Sequence, residues 1–166
     1  MSEVPSSLPL PSVWPSSVRE EFARACGAGR ISLIRSALTS FDLLPEANRG
    51  PVFKLSIART FTLETQLDAL RLVLATCPCR PSVLVGPLDN IEQELLRPES
   101  ELLRNNPNAV LVLWRLEELC PAFISEHLVW SAKKKREEFQ KITERIAHLC
   151  AEYPKVSGAP LFLSTL

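Results

Sequence analysis

The spacing of apolar positions changes from helical to strand-like near residue 52. Before that point, apolar residues recur every three or four positions from Val18 and again from Ile31, which predicts two short helices. Prolines and serines are frequent ahead of Val18 and predict an irregular lead-in. We therefore expect residues 1–50 to form a lead-in followed by a helical arm.

Beyond residue 50 the pattern predicts alternating strands and helices. Apolar runs predict strands at residues 52–58, 82–85, 109–114 and 159–163. Helical spacing predicts helices at residues 63–76, 91–96 and 123–152. Runs that are apolar throughout are typical of parallel strands covered on both faces, so we expect a three-layer α/β fold with a parallel sheet. No covering helix follows the last predicted strand, which predicts that this domain, residues 51–166, is truncated at its C-terminus.

Composition removes several classes of function. Nineteen basic and 19 acidic residues balance, so no general attraction to nucleic acid or to an anionic membrane is expected. No apolar stretch is long enough to cross a bilayer, and five scattered cysteines suit a reducing compartment, which together predict a cytoplasmic protein. Neither a glycine-rich phosphate loop nor a zinc-type spacing is present, so we expect no cofactor and no metal.

Candidate site residues follow from the rule that ligands bind beyond the carboxyl ends of parallel strands. The candidates for ligand or partner binding are Arg59, Gly86, Asn90, Trp114 and Arg115. A guanidinium at a strand end pairs with a carboxylate or a phosphate. For Arg115, a salt bridge to Glu117, Glu118 or Glu64 is the open alternative.

Thr60 and Thr62 are the candidate nucleophiles, because they follow the first predicted strand. A threonine hydroxyl needs a general base within hydrogen-bond reach, and the only histidines, His127 and His148, fall on the predicted long helix. Capping of the helix that follows, expected near Leu63, is the alternative role for both threonines.

Three segments together resemble the N-terminal, SGNH-hydrolase-like region of FkbH-type proteins of polyketide biosynthesis. They are KLSIARTFTLE at 54–64, VGPLDNIEQELLRPES at 85–100 and NAVLVLWRLEEL at 108–119. In that family a strand runs into a Ser/Thr-Phe-Thr turn, a later loop leads to a Gln-Glu-Leu-Leu helix, and an apolar strand ends in a polar stretch. The resemblance implies a parallel sheet of the SGNH or flavodoxin-like kind.

The same resemblance implies a partner and a place in biosynthesis. FkbH-type proteins typically join this domain to a C-terminal HAD-superfamily domain, which dephosphorylates a bisphosphoglycerate-derived glyceryl group and loads it onto an acyl carrier protein. An accessory, non-hydrolytic role in such loading is therefore implied. Its partners would be the carrier protein, or the acyl group tethered to its phosphopantetheine, and the HAD domain.

Two departures from active SGNH hydrolases argue against hydrolysis. Ala58-Arg59-Thr60 stands where those enzymes have Gly-Asp-Ser, and residues 114–117 replace their Gly-x-Asn-Asp block. Gly86 stands for the oxyanion-hole glycine in this comparison. A degenerate esterase or acyltransferase using Thr60 or Thr62, and a purely structural assembly domain, remain the alternatives.

The basic run at residues 133–136, followed by Glu137 and Glu138, has two interpretations. It is either a solvated helix face or a patch that steers an acidic carrier protein.

Overall fold

The computed structural model describes residues 10–165, in which nine helices and four strands form. The helices are α1 (Ser16–Ala28), α2 (Ile31–Asp42), α3 (Glu46–Arg49), α4 (Leu67–Thr76), α5 (Ile91–Leu96), α6 (Glu101–Arg104), α7 (Leu116–Leu119), α8 (Pro121–Glu126) and α9 (Ala132–Val156). The strands are β1 (Val52–Arg59), β2 (Arg80–Leu88), β3 (Ala109–Trp114) and β4 (Leu161–Thr165).

The four strands form one parallel sheet in the order β2-β1-β3-β4, flanked by helices. Leu55 of β1 lies opposite Ala109 of β3, and Val110 of β3 lies opposite Leu161 of β4. Parallel neighbours need a crossover connection, which the helices between the strands supply. The prediction of an α/β fold with a parallel sheet is confirmed.

Packing divides the chain into two compact units. Among the described residues, the helical unit comprises residues 10–53 together with Leu63–Val83, and the sheet unit comprises Lys54–Thr62 together with residues 84–165. The domain boundary expected after residue 50 stays a prediction.

The helical unit has an aromatic core between α1, α2 and α4. The Trp14 ring meets the rings of Phe22 and Phe41 edge-on, with centroids 4.8 and 5.3 Å away. The Trp14 indole N–H also donates to the Asn48 carbonyl at 2.9 Å, which satisfies its one polar atom. The end of the predicted lead-in is thus anchored at Trp14, whereas residues 1–9 lie outside the described range.

The sheet unit has an aliphatic core around β3. Leu102, Val110 and Leu149 are fully buried, and α5 packs against α9. Ser56 is a polar residue within this buried region, and its hydroxyl donates to the Leu102 carbonyl at 2.9 Å. That bond offsets the cost of removing the hydroxyl from water.

Several element boundaries differ from the sequence-based expectations, among them the last strand, which was predicted at residues 159–163 and lies at Leu161–Thr165. The helix predicted from residue 63 begins at Leu67, and the strand predicted at residues 82–85 extends over Arg80–Leu88. The single helix predicted at 123–152 is interrupted, because Ser131 caps a new helix by accepting the Lys134 backbone N–H at 3.2 Å.

The end of α9 also differs from the helix predicted to end at residue 152. The helix continues through Pro154 to Val156, although a proline there cannot donate the backbone hydrogen bond of the helix. Within residues 10–165, α9 included, no helix combines the length and the apolar character needed to cross a membrane.

Candidate functional site

Backbone bonds hold the carboxyl ends of β1, β2 and β3 together. The Thr60 N–H donates to the Leu113 carbonyl, and the Thr60 hydroxyl accepts the Arg115 backbone N–H, both at 3.2 Å. The Asp89 N–H donates to the Arg59 carbonyl, also at 3.2 Å. The residues that end these strands are therefore brought to one place, as expected for a parallel sheet.

A cavity of about 200 Å³ opens at these strand ends. Its lining consists of Thr60, Asp89, Asn90, Ile91, Glu92, Gln93, Trp114, Glu118 and Arg145. Because a water molecule takes up about 30 Å³ of liquid, the cavity has room for several non-hydrogen atoms, enough for a small acyl or polyol group.

Arg145 reaches the cavity from α9. Its Nε donates to Glu92 Oε1 at 2.6 Å, and its guanidinium lies 4.7 Å from the centroid of the buried Trp114 ring. The ion pair and the cation–π contact fix the guanidinium beside the aromatic face. Arg145 is not among the site residues predicted from the sequence. It lies next to the apolar stripe of Ile142 and Ile146, however, and this pattern predicts a position close to the sheet.

Carboxylates outnumber cations in the lining. Asp89, Glu92 and Glu118 face a single guanidinium, that of Arg145, which already pairs with Glu92. An excess of negative charge disfavours phosphate and favours an uncharged group that forms hydrogen bonds. Within the described part of the chain, no three acidic, histidine or cysteine side chains come together as a metal site.

Asp89 has an unusual backbone conformation for a residue with a side chain. Its φ is +58°, in the left-handed region that L-residues other than asparagine and aspartate rarely adopt. The turn it forms places Asn90 directly before α5, where no side-chain capping bond engages the Asn90 amide. Both side chains line the cavity.

The two candidate nucleophiles lie in different positions. Thr60 is nearly buried and lines the cavity, whereas Thr62 is exposed and does not. Neither caps α4 as expected, because Gln66 occupies the N-cap position and makes no side-chain capping bond.

Neither histidine lines the cavity with Thr60. His127 Nδ1 lies 2.6 Å from the Phe123 carbonyl oxygen, and the His127 ring stacks on Phe123 at 4.8 Å. A threonine–histidine pair is therefore not assembled among the described residues that line the cavity.

Trp114 and Asn90 are the two predicted binding residues that the structure brings into the cavity lining. Arg59 instead donates from Nη1 to the Phe61 carbonyl at 3.2 Å. Arg115 lies over the Phe61 ring at 4.6 Å and pairs with Glu117 at 3.9 Å, which is the expected alternative for this residue.

Gly86 contributes to packing rather than to the cavity lining. A β-carbon at this position would lie 3.0 Å from Leu102 Cδ1, closer than ordinary van der Waals contact. The Gly86 carbonyl accepts the Arg59 Nε–H at 3.4 Å. The close approach of α6 to β2 explains a small residue here without an oxyanion hole.

No protein-family model and no curated protein matches the chain. A solved structure, described as the N-terminal part of the protein BF1531 from Bacteroides fragilis containing a phosphatase domain complexed with Mg, matches with a TM-score of 0.53 and 10% identity. The match covers 69% of this chain but 28% of that one, so the chain spans less than a third of the matched protein. The two share an α/β fold, a loose structural relationship that shows the fold alone.

Proposed function

We propose that this chain is an accessory, non-hydrolytic domain that binds a glyceryl or related hydroxylated acyl unit during its loading onto an acyl carrier protein. The observation that carries the proposal is the cavity at the ends of β1, β2 and β3, which has hydrogen-bonding side chains but no threonine–histidine pair in its lining. The sequence resemblance to FkbH-type proteins supplies the identity of the acyl unit and its carrier.

The size and chemistry of the lining support this ligand. A glyceryl acyl group has about six non-hydrogen atoms and fits within the cavity. Hydroxyl groups donate and accept, so Asp89 can accept from them while the Asn90 and Gln93 amides do both. The buried Trp114 ring offers an apolar surface to the carbon atoms.

The negative charge of the cavity lining supports binding of the glyceryl unit after its phosphate has been removed. Three carboxylates and one paired guanidinium repel a phosphorylated glyceryl unit more than an uncharged one. A HAD-type phosphatase, in the same polypeptide or a separate one, would then act first. The matched protein from Bacteroides fragilis, described as containing a phosphatase domain, is consistent with this order but does not establish it for this chain.

The test is a titration of the 15N-labelled chain with carrier protein, either unloaded or loaded with a glyceryl thioester. Backbone amide signals of Asp89, Asn90 and Gln93 should shift with the loaded carrier only. Gln93→Ala should weaken this response, whereas Gln140→Ala, an exposed glutamine on α9, serves as the matched control. Identical spectra with both carriers at these three amides would contradict the proposal.

A residual esterase or acyltransferase activity at Thr60 is the second candidate, because this hydroxyl shares the cavity with Asp89 and Glu118. Intact-mass analysis after treatment with a fluorophosphonate tests for this activity. For a non-hydrolytic domain we expect an unmodified mass. An adduct that persists in Thr60→Ser and disappears in Thr60→Ala would favour the enzyme instead.

A further inference from the structure

Four large apolar side chains are exposed together around the junction of α8 and α9. Ile124, Leu128, Val129 and Phe139 are 63%, 85%, 83% and 47% exposed, and we call them the junction surface. Isolated exposed apolar residues are ordinary, but a contiguous group is typical of an interaction site.

An aromatic cluster supports the junction surface from beneath. Phe123 stacks on His127 at 4.8 Å and contacts Trp130 and Phe139 edge-on at 6.2 and 6.0 Å. The Trp130 indole N–H donates to Glu126 Oε2 at 3.2 Å. These contacts hold the segment between α8 and α9 in a defined shape, so the exposed apolar residues form a fixed surface.

Basic side chains border the junction surface. Residues 123–141 contain five lysines and arginines against three glutamates. Lys134 and Lys141 both donate to Glu138 Oε1, at 2.7 and 2.8 Å, while Lys135 and Arg136 are exposed. The N-terminus of α9, a 25-residue helix, adds its positive dipole end at the same place.

We infer that the junction surface and its basic border dock an acidic, amphipathic helix of the acyl carrier protein, an inference that rests on the proposed function. Apolar residues of such a helix cover Leu128 and Val129, and its carboxylates pair with Lys135 and Arg136. Complementary charge of this kind raises the rate of encounter and sets the orientation of the partner.

Charge argues against a second copy of the chain as the occupant. A two-fold interface would bring identical basic borders together, which like-charge repulsion disfavours. An anionic membrane is the other possible occupant, and vesicle binding distinguishes it from the carrier protein.

Helix α9 connects the docking surface to the cavity. Lys135 near its N-terminus and Arg145 in the cavity lining are ten residues apart, a rise of about 15 Å along the helix. An extended phosphopantetheine tether on a docked carrier spans a distance of this size. Carrier docking and acyl binding would thus both involve α9.

Unloaded carrier protein is the first probe, because it lacks the acyl unit that the cavity is proposed to bind. Its addition should shift the amide signals of Leu128, Val129 and Lys135 and leave those of Asn90 and Gln93 unchanged. Leu128→Ser and Arg136→Glu should each weaken the affinity about tenfold.

Matched controls come from the helical unit. Leu43→Ser replaces a leucine that is 81% exposed, and Arg24→Glu reverses an exposed charge on α1, so both should leave the affinity unchanged. Equal weakening by these controls and by the junction variants would overturn the inference. Raising the ionic strength should weaken binding of the unmodified chain and have less effect on Arg136→Glu.

The outcomes for docking and for acyl binding are separable. Shifts at the junction surface without any response of the cavity to loaded carrier would keep the docking inference and contradict the proposed function. Shifts of the cavity amides with loaded carrier, without shifts at the junction surface, would support the proposed function and contradict the docking inference. Self-association that Leu128→Ser abolishes, or binding of phosphatidylserine vesicles in preference to the carrier, would overturn docking in favour of a second copy or a membrane.

Discussion

The helical unit and the sheet unit have cores of different chemistry. In the helical unit, the rings of Trp14, Phe22 and Phe41 interlock. In the sheet unit, the core is mainly aliphatic, and polar side chains gather at the strand ends while apolar ones gather at the α8–α9 junction. Both surfaces that we propose for recognition therefore lie in the sheet unit.

The largest expected effect of a substitution on stability is in the aromatic core. Phe22→Ala removes a fully buried ring that contacts Trp14 and Phe41, so it should lower the free energy of unfolding by about 3–5 kcal/mol. Urea denaturation followed by circular dichroism measures this loss. Ala23→Ser on the exposed side of α1 is the control, and a loss in Phe22→Ala no greater than in that control would show that the aromatic core is not required.

A smaller effect is expected at the buried serine of the sheet unit. Ser56→Ala deletes the hydroxyl that bonds the Leu102 carbonyl and leaves that carbonyl without this donor, which should cost about 1–3 kcal/mol. The same denaturation experiment measures it. Ser125→Ala, at an exposed serine on α8, should change the stability by less than about 0.5 kcal/mol, and equal effects of both variants would contradict the assignment.

The smallest expected effect concerns the charges on α9. Hydrogen bonds from Lys134 and Lys141 lower the pKa of the Glu138 carboxyl to about 2. A lowered folded-state pKa contributes stability that is complete above the ordinary pKa of 4.5 and is lost as the pH falls toward 2. The Glu138 carboxyl carbon shift, followed by NMR, should therefore have its midpoint well below 4.5.

A double variant, Lys134→Met with Lys141→Met, is the control for this titration. Removing both donors should return the midpoint toward the ordinary value for a glutamate. An unchanged midpoint would mean that the two lysines do not cause the shift.

Sequence patterns predicted β3 and α5 more closely than the other elements. The apolar run at residues 109–114 coincides with β3, because a strand buried on both faces leaves a continuous signal. The start of α4 at Leu67 and the interruption before α9 were missed, since the first depends on turn geometry and the second on a cap at Ser131 within a helix-compatible sequence.

Three of the predicted site residues line the cavity. Thr60, Asn90 and Trp114 follow or end strands, so the topology rule placed them at the cavity. Arg145 lies on α9, far along the chain, and only its spacing from the apolar residues of that helix indicates its position. Gly86 and Arg115 satisfy the same rule yet pack against Leu102 and Phe61, because the rule locates a strand end without giving the direction of each side chain.

The central claim is that the cavity binds an uncharged, hydroxylated acyl unit presented by a carrier protein. The most direct test compares the affinity of this chain for carriers loaded with glyceryl and with phosphoglyceryl thioesters, at matched ionic strength. The glyceryl form should bind about tenfold more tightly, with shifts of the Asp89, Asn90 and Gln93 amides, because the lining has an excess of carboxylates. Equal affinity for the two forms, or tighter binding of the phosphorylated one, would contradict it.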